Sequence, residues 1–269
     1  MENLSLGKIV EYPENYSSDI LQAVPRSIGR NNIELTGELP FHGVDIWNAY
    51  EVSWLNPKGK PIVAILRCDV PITSPNLIES KSFKLYLNSL NQTVFASKLV
   101  VENTVKTDLS ACAGSQVNVE LYSSGEFSQM NIGSLDGYVI DDIDVNISTG
   151  DITPSLLCTN TNDSDETLVS HLLKSNCLIT NQPDWGSVII RYVGKQIDRA
   201  GLLKYLISFR QHNEFHEQCV ERIFKDIMQQ CSPTKLTVYA RYTRRGGIDI
   251  NPFRSNFEAT YPNIRLARQ

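Results

Sequence analysis

The chain of 269 residues is poor in several signals that would settle its class at once. No stretch approaches ~18 consecutive apolar residues, so no membrane-spanning helix is expected. Positive charge is not in excess: 25 Lys and Arg stand against 30 Asp and Glu, for a net charge of −5 and a pI near 5.5. Without an overall basic field, direct binding to nucleic acid is not expected. The six cysteines, Cys68, Cys112, Cys158, Cys177, Cys219 and Cys231, include no C-x-x-C pair, and Cys and His are not spaced for zinc. No G-x-G-x-x-G follows a strand-like run, which excludes a Rossmann cofactor site. The first thirty residues lack the basic start and apolar run of a secretion signal and carry Glu2, Glu11, Glu14 and Asp19 instead. The cysteines therefore read as free thiols in a reducing cytoplasm, and the sequons at Asn15, Asn91, Asn146 and Asn162 as chance matches. What remains is a soluble acidic protein, 41% hydrophobic and 20% charged. Its length allows one large domain or two smaller ones, with a core that needs no staples.

A faint internal duplication organises the chain. Segments 61–87 and 186–212 fit one template: Val63 falls on Val188, Ile65 on Ile190, Ile72 on Ile197, Leu77 on Leu202 and Ile78 on Leu203, a constant offset of 125. Each opens on a β-rich run, PIVAILRCDV or GSVIIRYVG, as a largely buried strand should. A helix start follows, with Ser74 and Pro75 as cap and first turn in one copy and Asp198 as cap in the other. Second helices are expected near 94–111 and 214–230, where Phe95 falls on Phe215 and Val100 on Val220. Strands QVNVELYS (116–123) and KLTVYARYT (235–243) close the copies. DIWNAYEVSWL (45–55) and the turn 56–59 read as the first arm of a hairpin.

Helices grouped rather than alternating with strands argue α+β: two tandem modules, each an antiparallel sheet with two helices packed on one face. The expected boundaries are a surface arm at 1–35, a first module at 36–135, a linker at 136–165 and a second module at 166–269. The linker, DIDVNISTGDITPSLLCTNTNDSDET in its main part, reads as extended chain rather than a packed element.

The copies are most informative where they diverge. Phe215-His216-Glu217 opens a helix where the first copy has Phe95-Ala96-Ser97, and His216 shares a stripe with Val220, Ile223 and Ile227. An imidazole and a carboxylate there are either a satisfied core histidine with a helix-start acid or part of a site. Cys177 and Asp184 bracket S-N-C-L-I-T-N-Q-P-D-W-G and have no counterpart in the first copy. The pair suits a nucleophile with a general acid or base, although a single cysteine is more often a small buried hydrophobe, the reading given to the other five. On the first copy, Glu79-Ser80-Lys81-Ser82-Phe83-Lys84 stands where the 125-residue offset puts Lys204-Tyr205-Leu206-Ile207-Ser208-Phe209. Lys81 and Lys84, one turn apart, suit a phosphate or simply a solvated face. Arg241, Arg244 and Arg245 with Gly246-Gly247 form the densest basic cluster, fit for phosphate or for an ordinary strand end.

Together E-S-K-S-F-K at 79–84, the Cys177…Asp184 pair, F-H-E at 215–217 and R-R-G-G-I-D-I-N-P at 244–252 resemble the NADPH-dependent 7-cyano-7-deazaguanine reductases, in their long two-module branch of the tunnelling-fold family. That resemblance implies two tunnelling-fold modules and a four-electron reduction of a nitrile to a primary amine for queuosine, a tRNA modification. It implies Cys177 as the nucleophile of a covalent thioimide and Asp184 as its proton donor. By the same resemblance His216 and Glu217 bind substrate, with His216 also in the catalytic group, and Glu79, Ser80 and Lys81 are further substrate contacts. Lys81, Ser82, Arg245 and Gly246 are implied as cofactor positions for NADPH, used twice per turnover. No metal is implied for catalysis. The working unit is implied to be a cytoplasmic homodimer that acts on a small purine-like molecule, with no nucleic acid or membrane as direct partner. The competing readings are a zinc-dependent pterin or GTP hydrolase of the same fold and a non-catalytic purine-binding protein, in which Cys177 would have no task.

Overall fold

A computed structural model describes residues 15–147 and 150–269. Residues 1–14 of the expected arm and residues 148 and 149 of the expected linker lie outside these. The chain divides into two compact units. The first takes the N-terminal part through residue 32, Asp45–Asn131 and Arg244–Ile250; the second takes Ile33–Val44, Ile132–Thr243 and Asn251–Gln269.

The first unit begins with β1 (Ala23–Pro25) and α1 (Arg26–Asn32). β2 (His42–Leu55), whose residues 42–44 belong to the second unit, turns through residues 56–60 into β3 (Pro61–Pro71), as the Asn-Pro-Lys-Gly signal predicts; Asn56 N donates to Lys60 O at 2.9 Å. β4 (Asn76–Ile78), α2 (Ser80–Ser89), α3 (Lys98–Ala113) and β5 (Asn118–Ser123) complete it. β3 lies between β2 and β5 and runs antiparallel to β5, with Leu66 opposite Leu121. Ala64, Leu66, Cys68 and Val70 are buried while Val63 is exposed. β3 is thus an alternating strand with one fully buried face, where a largely buried strand was expected. Trp47, Leu66, Phe83, Tyr86, Val101, Val105 and Leu109 meet in this unit's core.

The second unit holds β6 (Ile132–Gly133), β7 (Tyr138–Val139), β8 (Thr159–Asn176), β9 (Pro183–Ile197), α4 (Arg199–Ser208), α5 (His216–Cys231), β10 (Lys235–Tyr242), β11 (Ile248–Ser255) and β12 (Arg265–Leu266). Residues 248–250 of β11 belong to the first unit. The order β11-β10-β9-β8-β7 is antiparallel except at β7, which pairs parallel with β8. Val188, Ile189 and Ile190 of β9 are all buried, so this strand is covered on both faces. The expected stripe of α5 is present: Val220, Ile223 and Ile227 are fully buried. The fold is therefore mixed α+β with antiparallel sheets in each unit, the class the sequence indicates. No helix of the described residues is long and apolar enough to cross a membrane.

Four expectations need correction. The arm is not laid on the surface: Val24 and Arg26 are buried, β1 pairs with β4, and Arg26 reaches Asp45 at 2.6 Å and Ser74 at 3.0 Å. The linker is partly strand, because β8 begins at Thr159. Its polar start is held by cross-strand pairs, Lys195 with Asp163 at 2.8 Å and Arg191 with Asp165, which hydrophobic patterning does not register. Cys158 is exposed rather than buried. Finally, Ser74 does not cap a helix. Its hydroxyl donates to Asn76 O at 2.8 Å, and residues 76–78 continue into β4.

That last correction shifts the internal alignment. The true cap of α2 is Glu79, whose oxygens accept from Lys81 N at 2.8 Å and Ser82 N at 2.6 Å; Asp198 caps α4 by accepting from Gly201 N at 2.9 Å. Aligning cap on cap puts Tyr86 on Tyr205. Tyr86 donates to Asp108 at 2.6 Å and Tyr205 to Asp226 at 2.6 Å, while Ser89 and Ser208 each donate to the tyrosine carbonyl three residues back at 2.6 Å. The first copy simply carries extra chain, β4 included, between its strand and its helix. Leu77 and Ile78 therefore do not match Leu202 and Leu203.

Candidate active site

In the second unit the segment around Cys177 is a hairpin. Ser175 pairs with Asp184 and Asn176 with Pro183; Cys177 N then donates to Gln182 O at 2.8 Å, continuing the same register. Asn181 closes the turn at φ 56° and donates its N–H to Cys177 O at 3.1 Å; Asn tolerates this left-handed region better than most residues. Strand side chains alternate faces, so Ser175, Cys177 and Asp184 lie on one side. Cys177 and Asp184 are both buried.

Residues 212–214 stitch the start of α5 to this hairpin. Asn176 N donates to His212 O at 2.7 Å, Glu214 N to Asn176 O at 3.1 Å, and the Asn213 amide to Cys177 O at 3.2 Å. Buried Glu214 is gripped by Arg222, whose Nε and Nη2 both donate to it. These contacts bring the first turn of α5 to the hairpin. His216 Nε2 stands 3.5 Å from Asp184 Oδ1, longer than a formed hydrogen bond. The His216 ring meets the Tyr242 ring edge-on at 4.1 Å. Glu217, the acid of that first turn, is buried. Among the described residues, buried His216 Nε2 and Ser175 Oγ have no hydrogen-bond partner, while His212 Nε2 stands 3.4 Å from Glu214 Oε1 and Tyr242 Oη meets the Cys219 thiol. Unsatisfied polar atoms are uncommon in a native interior, and these two single out the hairpin face as a candidate site.

The surroundings have definite electrostatic preferences. Burial, then neighbouring Arg210, push the Lys174 ammonium below its ordinary range, against the pull of Asp184. Lys174 Nζ donates to Asn176 Oδ1 at 2.5 Å and Arg210 O at 2.6 Å. Burial pushes the thiols of Cys68 and Cys219 up, and those of Cys112 and Cys231 to about 11. These four are poor thiolates, in keeping with a packing role. Among the described residues no three His, Cys, Asp or Glu are grouped to hold a metal ion.

The remaining sequence candidates lie in the first unit. Both carboxylate oxygens of buried Glu79 are engaged in capping α2, and the Ser82 hydroxyl donates to Glu79 O at 2.8 Å and accepts from Gln22 N at 3.0 Å. In the free chain these two groups shape the helix start that carries Ser80 and Lys81. Glu79→Ala is therefore expected to destabilise the protein by about 1–2 kcal/mol through loss of the cap, read as a fall in melting temperature. An unchanged melting temperature would show that the capping contributes nothing. Arg245 N donates to Ile248 O at 2.9 Å across a tight turn in which Gly246 and Gly247 have φ of 61° and 79°. A Cβ on Gly246 would lie 2.8 Å from Lys84 Nζ, so the ammonium sits in the space a side chain would fill. Ala49, Glu51, Lys84, Leu87, Asn88, Gly246, Gly247 and Ile248 line a small, shallow cleft there. Within the cleft Lys84 balances Glu51, while Arg244 and Arg245 directly precede the glycine turn, which lets backbone approach closely, so the residue types suit a phosphate group.

The sequence reading missed Ser175, Lys174 and Tyr242. Ser175 was recoverable once residues 177–184 were taken as a hairpin, since it stands two residues before Cys177. Tyr242 left no signal, because its place depends on which strand pairs with β9.

Residues 12–121 match a family model described as nitrile reductase, 7-cyano-7-deazaguanine-reductase N-term, and residues 183–261 match one described as QueF-like protein. Together they cover well over half of the chain. Among solved structures, the archaeosine synthase QueF-Like in the apo form is 14% identical, over 37% of this chain and 99% of that one, with a TM-score of 0.32.

Proposed function

We propose that this chain, which belongs to the two-module QueF family of nitrile reductases acting in queuosine biosynthesis, reduces the nitrile of 7-cyano-7-deazaguanine to the aminomethyl group with NADPH. The observation that carries this reading is the hairpin that holds Cys177 and Asp184 on one face, with His216 3.5 Å from Asp184.

A nitrile accepts hydride poorly until a nucleophile adds and its nitrogen is protonated. In the proposed reaction the Cys177 thiolate bonds to the nitrile carbon, one π pair moves to nitrogen, and Asp184 delivers the proton, giving a thioimide. Covalent addition splits a difficult step into easier ones. NADPH would supply two hydrides per nitrile; loss of the Cys177 thiolate between them breaks the carbon–sulfur bond, and the carbon reaches the amine. Glu217, kept ionised, accepts N–H groups of the purine-like ring, and His216 orients the substrate beside Asp184. On the first unit, Lys81, Ser82, Arg245 and Gly246 would hold the cofactor, with Lys84 beside Gly246. A homodimer belongs to the same proposal, and equilibrium sedimentation decides it.

The test of the reading is loss of NADPH absorbance that depends on added 7-cyano-7-deazaguanine, with two NADPH oxidised per amine formed. Absence of this reaction, or ring opening of GTP instead, overturns it. For the cofactor side, Arg245→Ala is expected to raise the KM for NADPH by about 10–150-fold, the loss of one charge-assisted phosphate contact, while covalent labelling by the nitrile proceeds normally. Equal loss of labelling would assign Arg245 to folding or to the substrate side.

A further inference from the structure

Ser175 is fully buried, and its Oγ has no hydrogen-bond partner among the described residues. A hydroxyl removed from water without a partner is costly, so its presence calls for a cause. Register supplies one. Ser175 is directly opposite Asp184, whereas Cys177 is diagonal to it. Directly opposed side chains have Cβ atoms about 4.5–5.5 Å apart, and diagonal neighbours lie about 7–8 Å apart. The unpartnered hydroxyl is thus the direct cross-strand neighbour of the residue assigned as acid.

We propose that Ser175 is a positioning residue for proton delivery, its hydroxyl turning to donate to the Asp184 carboxylate once that group has given up its proton. The inference rests on the nitrile-reductase reading. As the Cys177 thiolate bonds to the nitrile carbon, the displaced π pair takes the Asp184 proton and the carboxyl becomes a carboxylate. Ser175 keeps its own proton and lends it as a charge-assisted hydrogen bond to the new anion. A donor idle before addition and engaged after it favours the addition step over simple binding. The other ionisable groups around Asp184 are Cys177 on the same hairpin, Lys174 on β8, His216 and Cys219 on α5, and Tyr242 on β10. All of these remain when Ser175 is changed.

Ser175→Ala tests the idea through three measurements. The saturating rate of covalent adduct formation should fall about 10–100-fold, with little change in the nitrile concentration giving half that rate. The melting temperature should stay level or rise, because a buried hydroxyl without a partner has been removed. Added to Asp184→Asn, the same change should cost little further rate, since residues acting as one unit are not additive. An unchanged adduct rate in Ser175→Ala overturns the proposal, as does a lowered melting temperature or a full additional loss in the double variant. If the wild-type protein itself forms no adduct, the nitrile-reductase reading fails, and this inference falls with it.

Discussion

Mixing the protein with 7-cyano-7-deazaguanine in the absence of NADPH should raise its mass by one substrate, and Cys177→Ala should abolish both that adduct and all turnover. The expectation follows from position: of the six cysteines, Cys177 alone lies on the hairpin face shared with Asp184 and Ser175. Cys219 lies on the nearby helix, but burial pushes its thiol up, away from the thiolate a nucleophile needs. Since Ala is close in size to Cys, the fold should survive, and a normal melting temperature would show it. An adduct that persists in Cys177→Ala would mean that another residue is the nucleophile.

The second large effect is expected at Asp184. Asp184→Asn preserves size and strand geometry but supplies no acid, so adduct formation should slow by about 100-fold or more. Affinity for the unreacted nitrile should change little. Glu217→Ala should do the reverse and weaken binding, because its carboxylate is assigned to accept N–H groups of the ring. Stopped-flow traces over a range of substrate concentrations separate the two behaviours. A normal adduct rate in Asp184→Asn, with the defect confined to affinity, would exchange the roles of these carboxylates.

How much of this was legible in the sequence depended on the scale of the determinant. The strands of the duplicated halves and the stripe of α5 were readable, because apolar periodicity is local and each residue reports its own burial. The start of α2 was misread. Ser74-Pro75 is a good local capping signal, yet Ser74 instead accepts from Arg26 Nε at 3.0 Å, and Glu79 caps the helix. A residue forty-eight positions away decided between two plausible caps. The polar start of β8 was invisible for a related reason: its stability comes from pairing and cross-strand charges, neither of which is encoded in hydropathy. Within the site, the residue types and the seven-residue spacing of Cys177 and Asp184 were legible. The face they share was not, until pairing fixed which residue opposes which.

The hairpin also sets a rule for how this protein can change over time. Its reactive side chains share a face because the pairing of the two arms has the right register. A one-residue slip of one arm past the other would send one partner to the far side of the sheet, with both residues still present in the sequence. The pairs along β8 and β9, and of β9 with β10, hold that register, so in lineages that retain the activity, length variation should fall in the turn at 178–181 and not within the paired arms.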